Sequence, residues 1–203
     1  PLAGRNFEYF SEDPFLAGKL AAGMIRGIQS HGISACVKHF AVNNQEERRM
    51  AIDTIVDERT LREIYLTAFE IAIDEGKTKT VMSAYNMLNG AYTNENTHLM
   101  REILRNEWKY EGVVVTDWGG SNDRVAGLIA GNELEMPTTA GETNEEIIQA
   151  IKTGKIKEEV LDENVDRLLD LIFTTEEALQ EARKEIDKEK HHRMAQTVAE
   201  ESI

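Results

Sequence analysis

Residues 112–120 read GVVVTDWGG, an apolar run that ends in an aspartate, a tryptophan and two glycines. Three consecutive valines are typical of a strand that is buried on both faces, as in a parallel sheet. Asp117 could cap a following helix, or it could be a nucleophile or base held at the end of the strand. Trp118 favours the second interpretation, because the face of a sugar stacks well on an indole.

Two further segments share this apolar, β-branched character, at residues 33–38 and 80–85, and a weaker candidate strand lies at residues 131–135. Between the strands, apolar residues recur at helical spacing in four segments, at residues 14–30, 57–74, 97–108 and 121–130. Strands that alternate with helices are typical of an α/β fold with a parallel sheet. The sequence therefore predicts the α/β class.

Polar residues follow each predicted strand, and they help to choose between two α/β architectures. Doubly wound nucleotide-binding folds usually carry a glycine-rich phosphate motif after the first strand, and no predicted strand is followed by one. A (β/α)8 barrel builds its site from residues at the carboxyl ends of the strands. The residues in these positions are Lys38-His39, Tyr85-Asn86, Asp117-Trp118 and Glu135. We therefore predict a TIM-like barrel.

The predicted strands supply only about half of such a barrel, and half a barrel leaves a sheet edge and an open core. We therefore expect residues 1–174 to form the C-terminal part of a (β/α)8 barrel, with helices at residues 144–153 and 158–173, in a fragment of a larger multidomain enzyme. Residues 175–203 are predicted to form a charge-rich helical linker that leads towards a missing second domain. The missing remainder of the barrel and the second domain, on the same or another chain, are expected partners.

Composition excludes several classes of partner. A net charge of −14 over 203 residues argues against nucleic acid and against anionic membrane, since both require a positive surface. The sequence contains no run of about 18 apolar residues, so it predicts no transmembrane helix. The single cysteine, Cys36, is predicted to be a small buried side chain, which is compatible with a reducing compartment and a cytoplasmic location. The histidines and Cys36 lack metal-ligand spacing, so we expect no metal and no other cofactor.

Lys38 and His39 are candidate binding residues, because both side chains can donate hydrogen bonds to ligand hydroxyls. Lys38 could also be a Schiff-base nucleophile in an apolar pocket, although the carboxylates expected nearby count against that chemistry. Tyr85 could position a nearby carboxylate. In isolation, Met82 is expected to pack in the core, and Arg5 is expected in a surface loop.

Taken together, the segments closely resemble glycoside hydrolase family 3, of the β-glucosidase and β-xylosidase type. The matching stretches occur in order along the whole chain, which makes the resemblance more specific than any one motif. They are GRNFEYFSEDP (4–14), VKHFAVNNQE (37–46), VMSAYN (81–86), VVVTDWGG (113–120), GNELEMP (131–137) and HHRMAQTVAEESI (191–203).

The resemblance implies a role for each matching residue. Asp117 matches the nucleophile that forms a covalent glycosyl-enzyme intermediate. Lys38 and His39 match the pair that binds hydroxyls of the nonreducing terminal sugar, and Arg5 matches an arginine of the same subsite. Tyr85 matches a tyrosine near the nucleophile. Trp118 matches the aromatic wall beside the nucleophile, and Met82 matches a further wall residue.

The implied activity is that of a retaining, exo-acting β-glycosidase that releases terminal nonreducing β-D-glucose or xylose from a β-glucoside or β-xyloside. Such an enzyme needs a second carboxyl group, the acid/base, at about 5–5.5 Å from the nucleophile. Glu46, Asp53 and Glu135 are candidates by residue type only. In the β-N-acetylglucosaminidase branch of the family, a PGHG-like loop with a catalytic Asp-His pair on the barrel follows the KHF motif. Residues 41–46, AVNNQE, do not match that pattern. The resemblance therefore implies an acid/base glutamate on a second domain, outside this chain.

Two other functions remain open at this point. A non-catalytic carbohydrate-binding or assembly subunit could keep the sugar subsite without turnover. A barrel aldolase could instead use Lys38 as its Schiff-base residue.

Overall fold

The structure of the chain, a computed structural model, describes residues 4–179 and 186–202. Its strands are β1 Cys36–Phe40, β2 Asp53–Thr54, β3 Thr80–Ser83, β4 Met87–Leu88, β5 Ala91–Tyr92 and β6 Val113–Val115. Its α-helices are α1 Pro14–Gln29, α2 Glu58–Thr60, α3 Thr67–Asp74, α4 Arg124–Ala130, α5 Glu142–Lys152, α6 Glu158–Leu179 and α7 Lys188–Glu201. Two π-helical segments, Leu61–Leu66 and His98–Glu107, and two 3-10 turns, Asn6–Glu8 and Thr93–Glu95, complete the elements.

The central sheet is parallel and has the strand order β1–β3–β6. Val37, Val81 and Val114 lie side by side across it, so the three predicted apolar segments form neighbouring strands. This arrangement confirms the predicted α/β class and the three main strands. Closure of the sheet into a barrel stays a prediction.

The fourth strand candidate, at residues 131–135, is shorter than predicted. Only Leu134 pairs with the sheet, through an isolated parallel bridge to Val115. The Glu133 carboxylate accepts the hydrogen bond from the Val114 backbone N–H at 2.6 Å, in the place where a strand would offer a backbone carbonyl. A side chain therefore interrupts the ladder beside β6.

A second, smaller sheet was not predicted. It has the order β2–β4–β5, and its strands have two residues each, which is too short for a periodic signal. Asn89 and Gly90 join β4 to β5 with φ angles of 50° and 91°, as expected for an Asn-Gly hairpin turn. The Asp53 carboxylate accepts a hydrogen bond from the Gly90 N–H at 3.0 Å.

The first two predicted helices are confirmed, with one irregularity. Asp13 caps α1 by accepting a hydrogen bond from the Leu16 N–H at 2.9 Å. The helix predicted at residues 57–74 contains a π-helical segment between α2 and α3. At the end of this segment the Thr67 hydroxyl donates to the carbonyl oxygens of Arg62 and Glu63, and such hydroxyl bonds to the preceding turn often distort a helix.

The C-terminal helices differ from the prediction. α6 runs past the expected boundary at residue 174 and continues to Leu179. A separate helix, α7, begins where Asp187 accepts a hydrogen bond from the Lys190 N–H at 2.9 Å. Part of the predicted helix, residues 180–185, lies outside the described residues. The division into a barrel part and a linker stays a prediction.

The main core joins the sheet to both π-helical segments. Its fully buried side chains include Phe40, Leu61, Leu66, Val81, Leu88, Leu99, Met100, Ile103, Leu104 and Val114. Within residues 4–179 and 186–202, no helix is both long enough and apolar enough to cross a membrane.

The predicted burial of Cys36 is wrong, because this side chain is exposed. Cys36 lies at the start of β1, which is an edge strand of the sheet in the described part of the chain. Its sequence neighbours gave an apolar context, but burial at an edge depends on a further element that covers it.

Candidate active site

The candidate site lies where the three parallel strands end. His39 lies near the end of β1, Tyr85 follows β3 and Asp117 follows β6. Parallel strands bring their carboxyl ends to the same edge of the sheet, so residues that are distant in sequence converge there. The convergence that the sequence predicted for these three residues is present.

Asp117 is buried, with 8% of its surface exposed. Its Oδ1 accepts a hydrogen bond from the Trp118 N–H at 2.7 Å. Its Oδ2 lies 3.3 Å from His39 Nε2, but the geometry is not that of a hydrogen bond, and Oδ2 has no hydrogen-bond partner among the described residues. One oxygen is therefore held in place, while the other keeps its lone pairs free.

The alternative role of Asp117 as a helix cap is wrong. The helix that follows it, α4, is capped by Asp123, which accepts a hydrogen bond from the Ala126 N–H at 2.9 Å. The glycine pair between them turns the chain, and Gly119 has a φ of 73°, in the region that favours glycine.

His39 is almost fully buried and makes contacts through both ring nitrogens. Its Nδ1 lies 2.9 Å from the Tyr9 hydroxyl, and its Nε2 faces Asp117. Burial lowers the pKa of His39 to about 4, with help from the positive charges of Arg5 and Lys38 and against the opposing effect of Asp117. The imidazole is therefore neutral near pH 7.

Lys38 and Arg5 share one carboxylate partner, Glu8. Lys38 Nζ lies 3.0 Å from Glu8 Oε2, and Arg5 forms an ion pair with Glu8 Oε1. Burial raises the pKa of Glu8, but hydrogen bonds from Arg5 and Lys38 outweigh this effect and bring the pKa below its usual value. Glu8 thus holds the two predicted sugar-binding cations side by side.

Tyr85 and Trp118 contact each other beside Asp117. The Tyr85 hydroxyl donates to the Trp118 carbonyl oxygen at 2.8 Å, and burial together with the Asp117 charge raises the pKa of Tyr85. The Arg49 guanidinium lies 4.8 Å from the centre of the Tyr85 ring. Trp118 is 53% exposed, which leaves much of its surface available to a ligand.

Met82 lies in β3, opposite Val115, and is half-buried. Its role as a wall of the subsite stays a prediction.

The three carboxylates considered as acid/base candidates bind local neighbours. Glu46 forms an ion pair with Arg49, Asp53 accepts from the Gly90 N–H, and Glu135 accepts from the Thr143 hydroxyl at 2.6 Å. These contacts do not decide whether any of the three is the acid/base residue, so its place outside this chain stays a prediction.

Sequence reasoning missed Glu8, Tyr9 and Arg49. The first two belong to the stretch GRNFEYFSEDP, but a loop has no periodicity that would show which of its side chains reach a site. Arg49 lies in a loop of mixed charge beside a second arginine, Arg48, and the sequence does not show which of the two reaches the site. The convergence of strand ends, in contrast, follows from the fold class itself.

A buried ion-pair network behind the site was also missed. Glu133 is fully buried and accepts two hydrogen bonds from Arg105 Nη2, both at 2.8 Å, and one from Arg167 at 3.1 Å. Arg105 also donates to the carbonyl oxygens of Tyr110 and Gly112. The network ties the segment after α4 to β6, the strand that precedes Asp117.

No group of three or more histidine, cysteine, aspartate or glutamate residues is placed to hold a metal ion in the described ranges.

Comparisons with known proteins show what this chain is similar to. The chain is 55% identical over its full length to the thermostable beta-glucosidase B of Acetivibrio thermocellus, of which it covers 27%. It is 42% identical, again over its full length, to an exo-alpha-(1->6)-L-arabinopyranosidase of Bifidobacterium breve, of which it also covers 27%. The chain thus spans about a quarter of these curated relatives.

A solved structure has a closely similar fold. Beta-glucosidase 3B from Thermotoga neapolitana, in complex with glucose, superposes with a TM-score of 0.88 at 48% identity, over 96% of this chain and 28% of that one. The model of the glycosyl hydrolase family 3 N-terminal domain matches residues 1–171. The chain therefore belongs to glycosyl hydrolase family 3, within the N-terminal domain of that family.

Proposed function

We propose that this chain carries the nucleophile and most of the terminal sugar subsite of a retaining, exo-acting β-glycosidase. The observation that supports this most strongly is the state of Asp117, a buried carboxylate at the end of a parallel strand with one oxygen fixed and the other free. A nucleophile needs this combination of defined orientation and an available lone pair.

In the proposed mechanism, Asp117 Oδ2 attacks the anomeric carbon and forms a covalent glycosyl ester. The bond to the leaving oxygen breaks, and the acid/base residue gives this oxygen a proton. Water then attacks the anomeric carbon, gives a proton back to the acid/base residue and releases Asp117 as the carboxylate. Two inversions at the same carbon retain its configuration.

The acid/base residue is proposed to come from outside this chain. The chain covers about a quarter of its relatives, so the remainder of the barrel and a second domain are proposed partners, in the same or another polypeptide. In this proposal the described residues are the C-terminal part of a (β/α)8 barrel.

The subsite is proposed to bind the sugar through the groups around Asp117. Lys38, His39 and Arg5 would donate hydrogen bonds to sugar hydroxyls. Tyr85 would lie beside the nucleophile and help to position its carboxylate. Trp118 and Met82 would form the walls. A terminal β-D-glucoside is the substrate that we propose, with a β-xyloside as the nearest alternative, since the relatives include β-glucosidases and a structure with bound glucose.

The other two functions are less well supported. An aldolase would need Lys38 as a free amine in an apolar pocket, yet Nζ is ion-paired with Glu8 at 3.0 Å and the side chain is 39% exposed. A non-catalytic subunit would not need a buried carboxylate with a free oxygen, because sugar binding alone does not use a nucleophile.

Stereochemistry tests the proposed function. The full-length protein that contains this chain would be incubated with an aryl β-glucoside, and proton NMR would follow the anomeric signal of the first glucose released. We expect β-glucose to appear first and the α-anomer to appear later by mutarotation. Release of α-glucose first would contradict a retaining mechanism, and no release would contradict the glycosidase function.

Glu8→Gln tests the shared carboxylate in the same protein. The amide keeps the shape of Glu8 but loses its charge, so Lys38 and Arg5 lose their common ion-pair partner. We expect KM for the aryl glucoside to rise by about tenfold and kcat to change much less, because the two cations are proposed to bind the sugar rather than to react.

Glu75→Gln is the matched control, because Glu75 is ion-paired with Lys19 on the surface between α1 and α3. We expect its KM to equal that of the wild type. An unchanged KM in Glu8→Gln as well would show that Glu8 does not position the two cations.

A further inference from the structure

Two consecutive residues of the N-terminal segment pair with two consecutive residues of β1. Glu8 contacts Lys38 at 3.0 Å, and Tyr9 contacts His39 Nδ1 at 2.9 Å through its hydroxyl. The rings of Tyr9 and His39 lie 6.4 Å apart and are tilted by 54°, so the contact is made by the hydroxyl rather than by stacking. The second pair bears directly on the nucleophile, because His39 lies between Tyr9 and Asp117.

The position of Asp117 selects one tautomer of His39. A neutral imidazole carries one proton, on either Nδ1 or Nε2. With the proton on Nδ1, the unprotonated Nε2 would lie 3.3 Å from a carboxylate oxygen, and their negative partial charges would repel each other. With the proton on Nε2, the positive partial charge of the N–H lies beside the carboxylate. Nδ1 is then an acceptor, and the Tyr9 hydroxyl must be the donor.

His39 is neutral when this selection operates. The groups that face it are Tyr9, Arg5 and Glu8 from the N-terminal segment, Lys38 from β1, and Asp117 after β6. Burial and the two cations lower the pKa of the imidazole to about 4, despite the opposite effects of Asp117 and Glu8. Only one nitrogen therefore carries a proton near pH 7.

We propose that Tyr9 is a positioning residue, whose hydroxyl donates to His39 Nδ1 and keeps the imidazole proton on Nε2, facing Asp117 Oδ2. A phenol is a better hydrogen-bond donor than acceptor, so this orientation is favoured from both sides of the ring. The inference deepens the proposed function, on which its kinetic consequence rests.

The consequence is greatest in the covalent intermediate. When Asp117 becomes an ester, it loses the negative charge that attracts the Nε2 proton. The Tyr9 hydrogen bond remains and keeps Nε2–H directed at the reacting carboxyl group and at the bound sugar. Tyr9 would thus preserve through the reaction cycle an arrangement that Asp117 alone selects only while it is ionised.

Neutron diffraction tests the tautomer without turnover. Crystals of the full-length protein, exchanged into heavy water at pH 7, should show a deuteron on His39 Nε2, none on Nδ1, and the Tyr9 deuteron directed at Nδ1. A deuteron on Nδ1, or a Tyr9 deuteron that points elsewhere, would overturn the proposal.

Tyr9→Phe tests the kinetic consequence in the same protein. The ring is retained and 39% of Tyr9 is exposed, so the variant is expected to fold. Loss of the donor destabilises the neutral imidazole, and the pKa of His39 should rise. The acid limb of the kcat/KM profile should therefore move to higher pH by about one unit, which is about a tenfold change in the proton affinity.

Tyr110→Phe is the matched control, since it also removes a tyrosine hydroxyl that bonds a buried partner. That partner is the Val113 carbonyl at 3.3 Å, at the start of β6 and not at the strand ends that form the site. Its profile should match the wild type, and the same shift in both variants would overturn the specific role of Tyr9. An unshifted Tyr9→Phe profile would do so as well. Wild-type protein without glycosidase activity would contradict the proposed function alone, and the neutron result would still decide the tautomer.

Discussion

Asp117→Ala in the full-length protein is expected to lower kcat for an aryl β-glucoside by at least about a thousandfold. The variant has no group that can form the glycosyl ester, so the two-step route is lost. Added azide can attack the anomeric carbon directly, but a single displacement inverts its configuration. We therefore expect no azide rescue of the product with retained stereochemistry.

Asp123→Ala provides the control for this result. It is the same substitution six residues further along the chain, at a carboxylate that caps α4 and does not contact Asp117. Loss of the cap is expected to lower stability by about 1 kcal/mol and to leave kcat within about twofold of the wild type. If Asp117→Ala kept most of its kcat, Asp117 would not be the nucleophile.

Glu133→Gln is expected to destabilise the sheet around β6 by about 3–5 kcal/mol. The substitution preserves size but removes the charge between two arginines, and Arg105 is left with an uncompensated positive charge in a site where its side chain is 5% exposed. Hydrogen-exchange mass spectrometry of the peptide that contains β6 measures the local opening free energy in the full-length protein. Exchange should accelerate by at least about a hundredfold.

Glu107→Gln is a closely matched control, because Glu107 also accepts two hydrogen bonds from one arginine, Arg62. The difference is burial, since the Glu107 side chain is 46% exposed and the Glu133 side chain is 0% exposed. A surface pair of this kind contributes up to about 1 kcal/mol. Equal effects of the two variants would contradict the view that burial makes the Glu133 network essential to β6.

The sequence predicted those features that depend on local pattern. Three apolar runs with β-branched residues predicted the parallel strands, and the carboxyl ends of these strands place His39, Tyr85 and Asp117 at one edge. Asp13 and Pro14 gave the start of α1. These predictions succeeded because the hydrophobic period and the geometry of a parallel sheet leave few alternatives.

Features that depend on contacts between distant segments were missed or wrong. Cys36 has apolar neighbours in sequence, but it lies on an edge strand and is exposed. Glu133 is a charged residue that is nevertheless buried, because two arginines distant in sequence form ion pairs with it. Glu135 looked equivalent to Glu133 in the stretch GNELEMP, yet only one of them is buried. Tyr9 reaches His39 across 30 positions from a short loop. No periodicity in the sequence reports such pairings.

The most direct test of the central claim is the site of covalent trapping. The full-length protein would be incubated with a 2-fluoro β-glucoside that carries a good leaving group, digested with pepsin and analysed by tandem mass spectrometry. We expect one 2-fluoroglycosyl group, on Asp117, and none in Asp117→Ala. An adduct on another residue, or an intact protein that binds the sugar without any adduct, would contradict the assignment of Asp117 as the nucleophile.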